Sequence, residues 1–137
     1  MTLHMTQLKT QPITKITAIL GALILLLGAA FHLSALPQVR DALAGGDMAD
    51  FFRSALAGMW MLPALHWIFI ASLSVGLSRY KSNSCAAILM AFGVLIIVDG
   101  VVTFLHVGPF MGAYMLCLAG GLLTVSGVTL RRQMRAS

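Results

Sequence analysis

Three polar residues interrupt a long apolar run in the second half of the chain. Asp99, Thr103 and His106 are spaced four, three and seven residues apart within the segment 85–106, and residues at these intervals share one face of an α-helix. Ionisable side chains are costly inside a membrane and usually mark a proton, ion or ligand site there. This helical face is therefore the first candidate for chemistry.

Polar residues in three other apolar segments can meet this face. If both chain termini are cytoplasmic, His32 and Asp99 fall in the outer half of the membrane. A carboxylate at the depth of Asp99 needs a partner, so we expect it to pair with a histidine or tyrosine and expect these groups to face inward. The predicted proton or ligand site comprises His32, His66, Asp99, Thr103, His106 and Tyr114.

The composition indicates a membrane protein. Hydrophobic residues make up 59% of the 137 residues and charged residues 9%, whereas soluble domains carry roughly 25% charged residues. The net charge of +5 comes from basic residues at the ends of apolar runs. That arrangement is typical of charges that orient membrane spans, so we predict the lipid bilayer, and no nucleic acid, as a partner.

Four apolar segments can position the candidate site. Each approaches the length of roughly 20 residues that crosses a bilayer, and proline disfavours helical geometry in the residue before it, so Pro37 is expected to end the first span. Residues 37–54 are expected to form an external loop with an amphipathic stretch around 47–53. The predicted fold is a single all-α transmembrane domain, an antiparallel four-helix bundle with helices at about 16–36, 55–78, 85–106 and 110–130.

Basic residues give this topology a direction. In the four-span arrangement, seven of the nine fall on one side and two, Arg40 and Arg53, on the other. The positive-inside rule then places both termini in the cytoplasm, and the size and charge pattern favour the cell inner membrane. The seven are Lys9, Lys15, Arg79, Lys81, Arg131, Arg132 and Arg135.

Small residues indicate which helix faces pack closely. Small side chains let membrane helices approach one another, so we expect the face of the first helix with Gly21, Gly28 and His32 to point into the bundle. The last helix has two overlapping stripes, and the one containing Tyr114 is also expected to point inward. These glycine-rich faces are also candidates for self-association into a homo-oligomer. The stripes are Tyr114, Cys117 and Gly121, and Ala113, Cys117, Gly120, Thr124 and Gly127.

Three functions fit this pattern. The first is a non-enzymatic membrane protein that takes a proton or a small polar ligand at the His/Asp/Tyr pocket. The second is a structural or accessory subunit of a larger membrane complex, in which the polar groups only join helices. The third is a membrane anchor in which histidines hold a b-type haem or a metal ion. Soluble-enzyme motifs are absent, and Cys85 and Cys117 have no metal-type spacing.

Overall fold

The computed structural model describes residues 12–136, and this part of the chain is all-helical, with no strand. Four helical segments are long and apolar enough to cross a membrane. The first of these covers residues 12–44 and is interrupted by a turn at residue 35. The predicted all-α fold with four helices of membrane-spanning length and apolarity is therefore confirmed for the described residues. The helices are α1 (Pro12–Ser34), α2 (Leu36–Ala44), α3 (Asp50–Leu77), α4 (Asn83–Val107) and α5 (Met111–Arg135).

The first helix begins earlier than the composition suggests. Thr14, which lies before the predicted start of the first span at about residue 16, is fully buried in the first turn of α1. Its carbonyl oxygen accepts a hydrogen bond of 2.8 Å from the Ser126 hydroxyl, and its own hydroxyl accepts one of 2.8 Å from Gln133 Nε2. These buried bonds connect the start of α1 to the end of α5. Residues 1–11, which precede α1, lie outside the described part of the chain.

The segment 37–54 is not the loop that we expected. Pro37 lies in the first turn of α2, where a missing N–H costs no helical hydrogen bond and the fixed φ of proline suits the helix start. Because α3 already begins at Asp50, the connection between the two helices is short, covering residues 45–49. Arg53 holds this connection through bonds of 3.1 Å to the Asp50 carboxylate and to the Met48 carbonyl oxygen.

The helices contact one another unequally. α1 packs against both α3 and α5, and α4 packs along almost the whole of α5, whereas α3 and α4 share few contacts. The largest buried cluster accordingly draws its side chains from α1, α3 and α5, with Ile96 as the contribution from α4. We refer to the sparsely packed line between α3 and α4 as the α3–α4 seam.

Glycines explain the close contact between α4 and α5. A Cβ atom placed on Gly93 would lie 2.6 Å from the Gly120 carbonyl oxygen, and one placed on Gly100 would lie 3.0 Å from that of Ala113. Gly127 is similarly close to Ala86. The second small-residue stripe predicted on the last helix is therefore an intramolecular helix contact.

Candidate functional site

Asp99 joins α4 to α3 through two hydrogen bonds on one carboxylate oxygen. Its Oδ2 lies 2.8 Å from His66 Nε2 and accepts a bond of 3.1 Å from Trp67 Nε1. The expected aspartate–histidine pair is present, with His66 as the partner. Asp99 is eight residues before the end of α4, which is about 12 Å along the helix axis.

Chemistry fixes the direction of one of the two hydrogen bonds at Asp99 Oδ2 and leaves the other open. Indole N–H is a donor and never an acceptor, so Asp99 must accept from Trp67. The contact with His66 can be made in two ways: the imidazole donates to the carboxylate, or a protonated carboxyl group donates to the imidazole. A proton can thus be held on either side of this contact without rearranging the helices.

His32 forms a second polar contact, which joins α1 to α3. Its ring stacks on Trp60 with centroids 4.4 Å apart and planes 10° apart. His32 Nε2 lies 2.6 Å from the Trp60 carbonyl oxygen, and Trp60 Nε1 donates to the His32 carbonyl oxygen at 3.1 Å. Because a carbonyl oxygen accepts, His32 Nε2 must carry a hydrogen. This imidazole is held by reciprocal bonds.

Trp67 connects the two contacts. Its buried ring meets the His32 ring edge-on at 5.4 Å and the His66 ring at 5.9 Å, while its N–H reaches Asp99. We refer to His32, Trp60, His66, Trp67 and Asp99 as the His/Trp/Asp cluster. It draws residues from α1, α3 and α4.

The His66–Asp99 pair is open to its surroundings. About 40% of the His66 side chain and 27% of the Asp99 side chain are exposed, because the pair bridges the α3–α4 seam. Each partner also has an unused polar atom: His66 Nδ1 and Asp99 Oδ1 make no hydrogen bond with residues 12–136. One imidazole nitrogen and one carboxylate oxygen are thus available to a proton or ligand.

The other predicted site residues lie apart from the pair. His106 is exposed, and its Nδ1 contacts the Val102 carbonyl oxygen of its own helix at 2.9 Å. Tyr114 is 55% exposed and meets the Phe104 ring edge-on, so the expectation that it points inward is wrong. Thr103 is half-buried and has no hydrogen bond through its hydroxyl within the described residues.

The two tryptophans were missed as polar members of the cluster. Trp60 and Trp67 are not among the predicted site residues, because tryptophan rings also suit interface and packing positions in membrane helices. Their spacing of seven residues places both on one face of α3, and a buried indole N–H needs an acceptor. Asp99 supplies that acceptor for Trp67. The need of a buried indole N–H for an acceptor is therefore the sequence signal that could have placed Trp67 beside Asp99.

Haem or metal ligation, the third function considered, would have to use the histidine side chains. Within residues 12–136 no group of three histidine, cysteine or acidic side chains converges as a metal site would require. Nε2 of His32 faces the Trp60 carbonyl oxygen and Nε2 of His66 faces Asp99. The two imidazoles are used to connect helices.

The fold and the cluster define a class: a multi-pass α-helical membrane protein with a carboxylate–imidazole pair within its spans. No protein-family model, curated protein or solved structure matches the chain. Its function is therefore argued from the geometry of the pair.

Proposed function

We propose that this chain is a non-enzymatic protein of the cell inner membrane that takes up a proton or a small polar ligand at the His66–Asp99 pair. In this proposal the four spans are antiparallel, both termini are cytoplasmic, and the pair is reached from the outer half of the membrane through the α3–α4 seam. His32 and the two tryptophans hold the pair in position. Of the other predicted site residues, Thr103 lies one helical turn beyond Asp99 on the same face of α4, whereas His106 and Tyr114 have no part in this proposal.

This proposal rests on the two polar atoms of the pair that make no hydrogen bond within residues 12–136, His66 Nδ1 and Asp99 Oδ1. A polar contact that serves only to join helices saturates its groups inside the protein, since an unpaired polar atom in hydrocarbon is costly. Asp99 Oδ1 and His66 Nδ1 instead remain partly exposed at a place where α3 and α4 scarcely pack. Water, a proton or a polar ligand at this seam would satisfy both atoms.

Helix contacts and charge support the proposed topology. Ala86 near the start of α4 lies beside Gly127 near the end of α5, and Gly100 lies beside Ala113. Such reversed pairing is the pattern of neighbouring helices that run in opposite directions. The excess of basic residues at the end shared by the start of α1 and the end of α5 favours a cytoplasmic location for that end.

The open seam also fits a second function, that of an accessory subunit. A helix of a partner chain or of a second copy would cover the α3–α4 seam and supply the group that bonds Asp99 Oδ1. The two functions differ in what satisfies the unused atoms: a mobile proton or ligand in the first, and a fixed protein group in the second.

Infrared difference spectroscopy on the protein in lipid nanodiscs tests the proton site. Asp99 is the one carboxylate within the described transmembrane segments α3 to α5 that contacts an imidazole. We expect the carboxylate bands to change reversibly with pH, because the gain or loss of a proton at the pair alters the His66–Asp99 bond. Asp99→Asn should remove this signal.

His106→Gln is the matched control, because this exposed histidine bonds to its own helix and its loss leaves the carboxylate bands in place. The proposal is wrong if the wild-type bands do not respond to pH while the protein remains folded. It is also wrong if Asp99→Asn and His106→Gln give the same difference spectrum as the wild type. Co-purification in a fixed ratio with a second protein, with no pH response, would select the accessory function.

A further inference from the structure

A cleft at the opposite end of α4 takes no part in the function proposed above. It lies between the start of α4 and the end of α5 and has a volume of about 440 Å³. Asn83, Ala87 and Met90 line it from α4. The α5 side is lined by Arg131, Met134 and Arg135. A second, smaller concavity of about 170 Å³ adjoins it and shares Met90 and both arginines.

The end of the bundle around this cleft is strongly basic. The bonds from Ser126 and Gln133 to Thr14 bring the start of α1 to the end of α5, and the cleft brings the start of α4 there as well. The four acidic side chains of the whole sequence lie elsewhere, at Asp41, Asp47, Asp50 and Asp99. The cationic side chains at this end are Lys15, Arg79, Lys81, Arg131, Arg132 and Arg135.

The two cleft arginines form no ion pair with the described residues 12–136. The ion pairs within residues 12–136 join Arg53 to Asp50 and His66 to Asp99, so Arg131 and Arg135 have none there. Both arginines are exposed. The first residue of α4, Asn83, lies opposite them, and the start of a helix carries partial positive charge. The mouth of the cleft therefore favours an anion.

Polarity changes along the length of the cleft. Asn83, Ala87 and Met90 lie on one face of α4, and this face becomes apolar as the helix enters its hydrophobic span. The smaller concavity is likewise bounded by Val128 on its membrane side. A ligand that fits must carry negative charge at the membrane surface and hydrocarbon below it.

We propose that this cleft binds an anionic phospholipid, with its phosphate between Arg131 and Arg135 and its acyl chains along Ala87, Met90 and Val128. Guanidinium groups bind phosphate through two parallel N–H···O bonds, and basic pockets between membrane helices bind anionic headgroups in this way. Charges that merely orient the spans need no cleft, and they need no apolar wall that continues from it.

Native mass spectrometry of the delipidated full chain in mild detergent tests the site. The probes are phosphatidylglycerol and phosphatidylcholine with identical acyl chains, titrated separately. We expect phosphatidylglycerol to bind at least about tenfold more tightly, because each basic group near an anionic headgroup contributes on the order of fivefold in affinity. Arg131→Gln/Arg135→Gln should reduce its affinity to that of phosphatidylcholine.

Arg79→Gln/Lys81→Gln is the matched control, because it removes two cations from the same end of the bundle and neither lines the cleft. This variant should keep the preference for phosphatidylglycerol. If the two double variants lose affinity equally, general basic charge explains the binding and the site does not exist. Equal affinity of the wild type for both lipids would overturn the proposal as well.

Ala87→Trp provides a test that leaves every charge in place. Ala87 is exposed in the cleft wall, so an indole ring there fills the space without disturbing the α4–α5 contact. We expect it to abolish selective binding of phosphatidylglycerol, and an unchanged affinity would exclude the cleft as the site. Inorganic phosphate added as a competitor should fail to displace the lipid; displacement at comparable concentrations would mean that the cleft binds a free anion.

Discussion

The two neighbours of α4 contact it in opposite ways. Against α5, glycines remove the side chains between the helices, so that a Cβ atom on Gly120 would lie 2.5 Å from the Gly93 carbonyl oxygen. Against α3, packing is sparse, and the helices are connected by the bonds of Asp99 to His66 and Trp67. One face of α4 thus fits its neighbour by shape, and the other is joined by a polar contact.

This difference separates the part that holds the bundle together from the part available for function. Apolar side chains gain little from leaving lipid for another helix, so stability comes from close packing and from interhelical hydrogen bonds. The α4–α5 contact is extensive, and at its glycines the two helices are too close to admit a ligand between them. The α3–α4 seam is open and polar, and it can bind a group or change its protonation while the rest of the bundle keeps its shape.

The largest stability effect is expected at the α4–α5 contact. Gly120→Ala places a methyl group against the backbone of α4, which cannot move aside as a flexible side chain can. Overpacking typically costs ~1–3 kcal/mol, and we expect a value near the upper end of that range. The free energy of unfolding in mixed detergent–SDS micelles, followed by circular dichroism, measures it.

The adjacent Gly121→Ala is the control, since a Cβ atom at this position meets no atom within 4 Å. It should leave the free energy of unfolding unchanged or raise it slightly, because alanine favours a helix over glycine. Equal destabilisation by the two substitutions would mean that glycine flexibility, rather than the close approach of α4, is what Gly120 contributes.

Much of this contrast was predictable from residue type and spacing. The number of spans follows from apolar length, and the stripe of Gly120, Thr124 and Gly127 was recognised because small residues recur at helical intervals. The partner of Asp99 was narrowed to a short list because a carboxylate within a span needs one. These inferences rest on local periodicity and on the cost of unpaired polar groups.

The rest depends on which helices become neighbours, and periodicity does not specify that. Two stripes overlap on α5, and the sequence does not reveal that α4 covers the one with Gly120 while Tyr114 stays outside. Pro37 was equally ambiguous, since proline fits both the end of one helix and the first turn of the next. A buried Trp67 N–H can be expected to need an acceptor, but the choice of Asp99 as that acceptor depends on the α3–α4 geometry.

A smaller effect is expected at the α3–α4 seam. Asp99→Ala removes two interhelical hydrogen bonds and leaves the N–H of the buried Trp67 without its acceptor. Interhelical hydrogen bonds in membranes average about 0.6 kcal/mol, so we expect a loss of about 1 kcal/mol in the same unfolding assay. A loss larger than that of Gly120→Ala would contradict the view that close packing dominates.

A second substitution separates the two bonds of Asp99. Trp67→Phe keeps an aromatic ring beside His32 and removes the N–H donor, so we expect a loss of about 0.5 kcal/mol. Introduced into Asp99→Ala, Trp67→Phe should lower the free energy of unfolding by less than it does in the wild type. The acceptor is already gone there, and removing the indole N–H then leaves no donor unpaired. Strict additivity would show that the bond from Trp67 to Asp99 contributes nothing to stability.

The smallest effect is expected at Tyr114, outside both contacts. Tyr114→Phe removes a hydroxyl that makes no hydrogen bond within the described residues, and it keeps the edge-on contact with Phe104 at 6.1 Å. A substitution at such an exposed position typically changes stability by less than about 0.5 kcal/mol. A clear loss of stability, or a change in the pH-dependent carboxylate bands of Asp99, would instead mean that Tyr114 reaches the His66–Asp99 pair. The functional face of α4 would then extend beyond the α3–α4 seam toward α5.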